Sequence, residues 1–114
     1  MIAMSARIEL GLEIISGDLV HVRWSGRAAE RRPAAALNPV FEKLIELDRN
    51  IVFDLSRLEH ISSSTMVVVM KFVKRLAALG RGIDVRYDRS VSWQRMTFAS
   101  LERLAALRAG QLAA

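Results

Sequence analysis

From Asn50 to Gly80 the sequence reads NIVFDLSRLEHISSSTMVVVMKFVKRLAALG, and this order leaves few folds open. Ile51-Val52-Phe53 is a short apolar run, and Asp54-Leu55-Ser56 follows it. Three apolar residues in succession predict a strand, Ile51 to Leu55, covered on both faces and therefore central in a sheet. Arg57 to His60 reads as a polar connection. Ser62-Ser63-Ser64-Thr65 then stand at the mouth of an apolar segment that closes at Leu79-Gly80. That segment contains the β-branched Val67-Val68-Val69. Its length, and its continuation through Lys71, Phe72, Val73, Leu76 and Leu79, nevertheless predict a helix. Gly80 and Gly82 end the helix and turn the chain.

The flanking sequence supplies the rest of an α/β pattern. Arg7 to Ile14 alternates, with Ile8, Leu10, Leu12 and Ile14 on one side, which predicts a half-buried strand. Ser16-Gly17-Asp18 is turn chemistry. Val20, Val22 and Trp24 then alternate with Leu19, His21 and Arg23, giving a hairpin whose second strand ends at Gly26. His21 falls on the polar side of that strand. Arg27 to Leu37 reads as a connection, its alanines able to add a turn of helix. Asn38 as cap and Pro39 at the first helical position mark the helix start more clearly. Val40, Phe41, Leu44, Ile45 and Leu47 make its apolar stripe. After Gly82, Ile83, Val85 and Tyr87 alternate as a further strand. Ser90 or Ser92 caps a short helix bearing Val91, Trp93, Met96 and Phe98. Ser100 opens a last turn or two with Leu101, Leu104 and Leu107, and Ala109 to Ala114 is expected to fray. Two helices between consecutive strands imply right-handed crossovers. The expectation is a mixed β-sheet with an opening hairpin and helices packed on it.

Composition narrows the function classes. At 114 residues, 52% hydrophobic and 25% charged, the chain suits one domain over residues 1–114 with a core at about 8–104. It has no cysteine, which removes disulfides and thiolate zinc sites and fits a reducing, cytoplasmic setting. Met1 to Glu9 does not read as a signal peptide. The longest apolar run, Met66 to Met70, is far below the ~20 residues of a membrane span. There is no glycine-rich phosphate loop, no dinucleotide fingerprint and no G-x-S-x-G elbow. His21 and His60 lie on separate elements, so neither a catalytic constellation nor a metal or cofactor site is expected. The net charge of +5 is unevenly placed. Residues 1–50 hold seven basic and seven acidic side chains, whereas residues 51–114 hold ten and five. Such an excess suits a solvated face, an acidic or phosphorylated partner, or nucleic acid.

The hydroxyl cluster is the most specific local signal. With Ser62 as cap, Ser63 starts the helix and Ser64 and Thr65 follow. One cap hydroxyl is worth about 1 kcal/mol, but capping needs only one of them. A phosphate on Ser63 would sit at the positive end of the helix dipole, among unpaired amides. Ser64 is the neighbouring candidate. Stepped at about 100° per residue, Ser64, Val67, Lys71, Lys74, Arg75 and Ala78 share one face. Met66, Val69, Met70, Phe72, Val73 and Leu76 form the opposite stripe, which is wide enough to pack on a sheet.

Together these words and their order resemble the STAS domain family, the fold of bacterial anti-sigma-factor antagonists. Its pattern is a strand ending D-L-S, a short link, and D-S-S-G opening a helix. Asp54-Leu55-Ser56 matches the first part, and Ser62-Ser63-Ser64-Thr65 aligns with the second. Ser62 stands where the family has Asp, and Thr65 where it has Gly. The similarity runs from about Ile8 to Leu104. It implies a non-catalytic switch, in which a partner that is both anti-sigma factor and serine kinase binds the unmodified form and is released by a phosphate. By position that phosphate falls on Ser63. The implied docking surface joins Ser62 to Thr65 with Lys71, Lys74 and Arg75 and the loop near Arg27. Binding without phosphorylation, a subunit role in a lipid-transport ABC assembly, and nucleic-acid binding by the basic half stand as alternatives. Homo-oligomerisation stays open.

Overall fold

In a computed structural model, residues 10–106 are described, and they form four strands and three helices. In chain order these are β1 (Leu10–Ser16), β2 (Val20–Ala28), α1 (Pro33–Glu46), β3 (Ile51–Ile61), α2 (Ser63–Ala78), β4 (Ile83–Arg86) and α3 (Ser92–Ala105). The expected strand residues Arg7 to Glu9, Leu107 in the last turn, and the tail from Ala109 lie outside the described residues. No helix among the described residues is long and apolar enough to cross a membrane.

The sheet order is β1-β2-β3-β4; the β1–β2 pair is antiparallel and the other two pairs are parallel. β2–α1–β3 and β3–α2–β4 therefore step the same way across the sheet. Right-handed crossovers then put both helices on one face. The sequence alternation agrees. Val20, Val22 and Trp24 of β2, Ile51, Phe53 and Leu55 of β3, and Val85 of β4 are all buried in one core with Leu37, Phe41 and Leu44 of α1 and Val69, Phe72, Val73 and Leu76 of α2. Its centre is aromatic. Phe41 stacks on Phe72 at 4.2 Å between centroids, and Trp24 meets Phe53 edge-on at 5.4 Å. The Trp24 indole N–H is buried without a hydrogen-bond partner among the described residues, a local cost of packing a large ring here.

The opposite face of the sheet is polar, with a Glu13–Arg23 ion pair, Asp54, and an Asp84–Arg86 ion pair. The helices lie on one face only, yet the expected cover of the central strand on both faces holds at its start. Ile51, Val52 and Phe53 are all buried, and Val52 lies in register between His21 and Asp84. β1 is one of the two outer strands among the described residues, and its apolar side opens along its length. Leu10 is buried, but Ile14 is 45% exposed.

Four boundaries differ from the sequence reading. β2 does not end at Gly26 but runs to Ala28, and β3 runs to Ile61 through the supposed link Arg57 to His60. The register between them slips at Arg23/Ser25 and again at Gly26/Arg27, where β3 supplies the extra residue each time. These bulges let Gly26 take φ 76° and bring Leu58 back into the core out of simple alternation. α1 starts at Pro33, not at Asn38-Pro39, because Pro33 fills the first turn and the alanines propagate helix. Pro39 lies inside α1 on its exposed side. Finally α3 is one continuous helix. Ser100 does not cap; its hydroxyl donates to Thr97 O at 3.2 Å. Neither does Ser90 or Ser92 cap α3, whose N-cap is Val91.

The α2 exit follows the expectation. Gly80 (φ 71°) donates to Ala77 O and Arg81 N to Leu76 O, both at 3.0 Å, closing the helix in a Schellman turn. Arg81 then reaches back to the end of α1, donating to Ile45 O at 2.9 Å and to Leu44 O and Arg49 O.

Candidate functional site

β3 delivers the chain straight into α2, and the junction is built by Ser62. Its backbone is extended (φ −74°, ψ 155°), and its amide donates to Ala28 O at 2.9 Å, tying the ends of β2 and β3 together. The Ser62 hydroxyl caps α2 by accepting from Thr65 N at 3.2 Å. It also shares hydrogen bonds with Thr65 Oγ1 at 2.7 Å and Ser64 Oγ at 3.3 Å. Thr65 is fully buried. Its hydroxyl therefore depends on Ser62, and its methyl and backbone are part of the packing, so its bulk points inward. Among the four hydroxyls, Ser63 is exposed and has no hydrogen bond among the described residues. The first-turn amides of Ser63 and Ser64 have no intrahelical acceptor, and α2 has no acidic residue in its first turn. The result is an electropositive helix start with one free hydroxyl at its tip.

Upstream, Asp54-Leu55-Ser56 holds the first β3 bulge. Asp54 Oδ1 accepts from Ser56 N at 3.0 Å and from Ser56 Oγ at 2.6 Å. Burial alone would push the Asp54 carboxyl up, but the Ser56 hydroxyl and amide, with Arg23 and Arg57 nearby, hold it below the usual carboxylate range. The bulge carbonyls are taken by Gln94, which is 2% exposed. Its Nε2 donates to Ser56 O and Leu58 O, both at 3.0 Å, and its Oε1 accepts from Asp88 N at 2.8 Å. Sequence reasoning missed Gln94, since a glutamine in a helix's first turn carries no sign of burial. A second D-x-S unit, Asp88-Arg89-Ser90, repeats the Asp54 arrangement and was there to be found. Asp88 Oδ1 accepts from Ser90 N and Ser90 Oγ, which hold its carboxyl below the ordinary value.

The expected face of α2 is present. Ser64, Val67, Lys71, Lys74, Arg75 and Ala78 are all exposed, whereas Val69, Phe72, Val73 and Leu76 are buried. Arg75 is drawn aside by Glu42 of α1, its Nη1 lying 2.5 Å from Oε1. Lys71 and Lys74 have no such partner among the described residues. Arg27 stands in β2 opposite His60 and lines an open cleft with Arg31 and Arg32 at the start of α1. That cleft adjoins the Ala28 carbonyl bound by Ser62, so the helix start and the Arg27 region share one edge of the molecule.

Five of the ten basic side chains in the second half are engaged within the fold. Arg75 pairs with Glu42, Arg86 with Asp84 and Arg89 with Glu102; Arg81 and Arg95 donate to backbone carbonyls. His21 is half-buried on the polar sheet face, and His60 is half-buried in β3.

No family model matches the sequence, and no curated protein matches it at a significant level. Among solved structures, the crystal structure of an anti-sigma factor antagonist from Mycobacterium paratuberculosis superimposes with a TM-score of 0.68. The match is 19% identical in sequence and covers 92% of this chain and 90% of that chain. The fold is STAS-like, a small α/β domain with a mixed sheet that opens on an antiparallel hairpin.

Proposed function

We propose that this chain is a non-catalytic regulatory module that docks a protein partner on the amino-terminal face of α2 and is switched by phosphorylation of Ser63. One observation carries the reading. Ser62 and Thr65 are consumed by the helix cap and Ser64 leans on Ser62, which leaves Ser63 exposed with no hydrogen bond among the described residues. Phosphorylating it would not dismantle the cap. The phosphate would meet the unpaired first-turn amides and add roughly two negative charges to a face that carries Lys71 and Lys74. Such a change alters docking while the core beneath stays as it is. The fold shared with an anti-sigma factor antagonist supports a protein regulator as the partner class. On this reading the partner is an anti-sigma factor that is also the serine kinase, bound by the unmodified form and released by the phosphate.

Mass-spectrometric mapping of the protein isolated from growing, stressed and stationary cells of its own host tests the switch. Phosphate on Ser63, absent from the S63A variant, is the expected result. Phosphate confined to other residues, or found in none of these states, overturns it.

A further inference from the structure

Helix α2 holds 16 residues and no Asp or Glu, yet three cations lie on its exposed side. A face that only keeps a protein soluble usually mixes both signs, and cations on a helix gain from acids three or four residues away. Here Glu42 of α1 answers Arg75 alone. Lys71 and Lys74, one turn apart, are left without an acidic partner among the described residues. One turn toward the helix start, Val67 is 49% exposed on the same face. From Ser64 to Ala78 the stripe is about 21 Å long at 1.5 Å per residue, enough for several turns of a partner helix.

We infer that the partner's docking surface is acidic, with carboxylates facing Lys71 and Lys74 and an apolar side chain seated on Val67. This rests on the reading of the α2 face as the docking face, and it specifies what that face recognises. Charge complementarity favours a protein over a nucleic acid as the occupant. Two free lysines neutralise few phosphates, and an apolar valine between the helix start and the lysines suits a side chain better than a sugar-phosphate backbone. The same charges give the Ser63 switch its direction, since a phosphate on this face opposes an acidic partner.

Amide chemical shifts of the full chain, titrated at low salt with a synthetic helical peptide bearing a Leu–Glu face, test the inference. Shifts should centre on Ser64, Val67, Lys71 and Lys74. Affinity should fall by about tenfold or more in K71E/K74E, and in the milder K71Q/K74Q, and return when the peptide's Glu residues are exchanged for Lys against K71E/K74E. Unchanged binding by K71E/K74E, equal binding of a Glu→Gln peptide, or tighter binding of a single-stranded oligodeoxynucleotide at this face would each overturn it. The outcomes separate from those of the switch. Ser63 phosphate without a charge dependence leaves the switch and removes the acidic partner, and the converse leaves the docking chemistry and removes the switch.

Discussion

Ser62 and Ser63 are adjacent serines with different work, and substitution should separate them. Ser62→Ala removes the acceptor for Thr65 N and the partner of the buried Thr65 hydroxyl, so a loss of about 1–2 kcal/mol in urea denaturation is expected. Ser63→Ala should leave stability within about 0.5 kcal/mol, because nothing in the fold leans on that hydroxyl. Gln94→Ala should cost more, about 2–4 kcal/mol, since it strands the Ser56 and Leu58 carbonyls and the Asp88 amide together. Asp54 sets an acid limb. Its carboxyl lies below the usual range when folded, so it contributes stability above its unfolded pKa of about 3.9. That contribution is lost as pH falls through the lower folded value. The urea midpoint should therefore decline below about pH 4 in the native chain and decline less in Asp54→Asn. At this scale the cap at Ser62 was legible in the letters, because hydroxyls before an apolar run have one strong local use. Gln94 was not, because its partners lie 36 and 38 residues away.

At the scale of elements, legibility followed how local each signal was. Gly80 ends α2 through its own backbone conformation, so a glycine after an apolar helix could be read correctly. Two prolines six residues apart both suit a helix start, and which one serves depended on Leu37 and Pro33 being buried against the core. β3 was read as half its length because bulges break the alternation that marks a strand, and because its far half carries Arg57, Glu59 and His60 toward solvent. Those bulges matter to the site, since they carry β3 to the Ala28–Ser62 hydrogen bond and so fix where α2 begins. The opposite end of the molecule is fastened by Arg81, whose guanidinium donates to the Leu44 and Ile45 carbonyls in the last turn of α1 and to Arg49 O beyond it. Arg81→Ala is expected to lower stability by about 2 kcal/mol in urea denaturation, with no effect on docking at the far end.

For the whole molecule, the helices on one face leave the sheet's other side largely polar, and the carboxyl ends of β2 and β3 meet at the α2 start. The STAS-like fold could be anticipated from D-L-S, the hydroxyl cluster and the order of elements, because these are words in sequence. What the charge excess meant could not be. Five of the ten basic residues in the second half turn out to hold acids or carbonyls of their own fold, and this lowers the case for nucleic-acid binding. Any such binding should show a shallow dependence on salt, from few phosphates neutralised. A place in a lipid-transport assembly would appear instead as co-purification with an ATPase subunit, insensitive to Ser63. The most direct test of the central claim is photo-crosslinking in the native host from a reactive residue placed at Val67, with the same residue at Ile15 as a control, each with and without Ser63→Glu. The account predicts a discrete protein adduct from Val67 that is lost with Ser63→Glu. An adduct formed from Ile15 rather than Val67, or one from Val67 indifferent to Ser63→Glu, would contradict it.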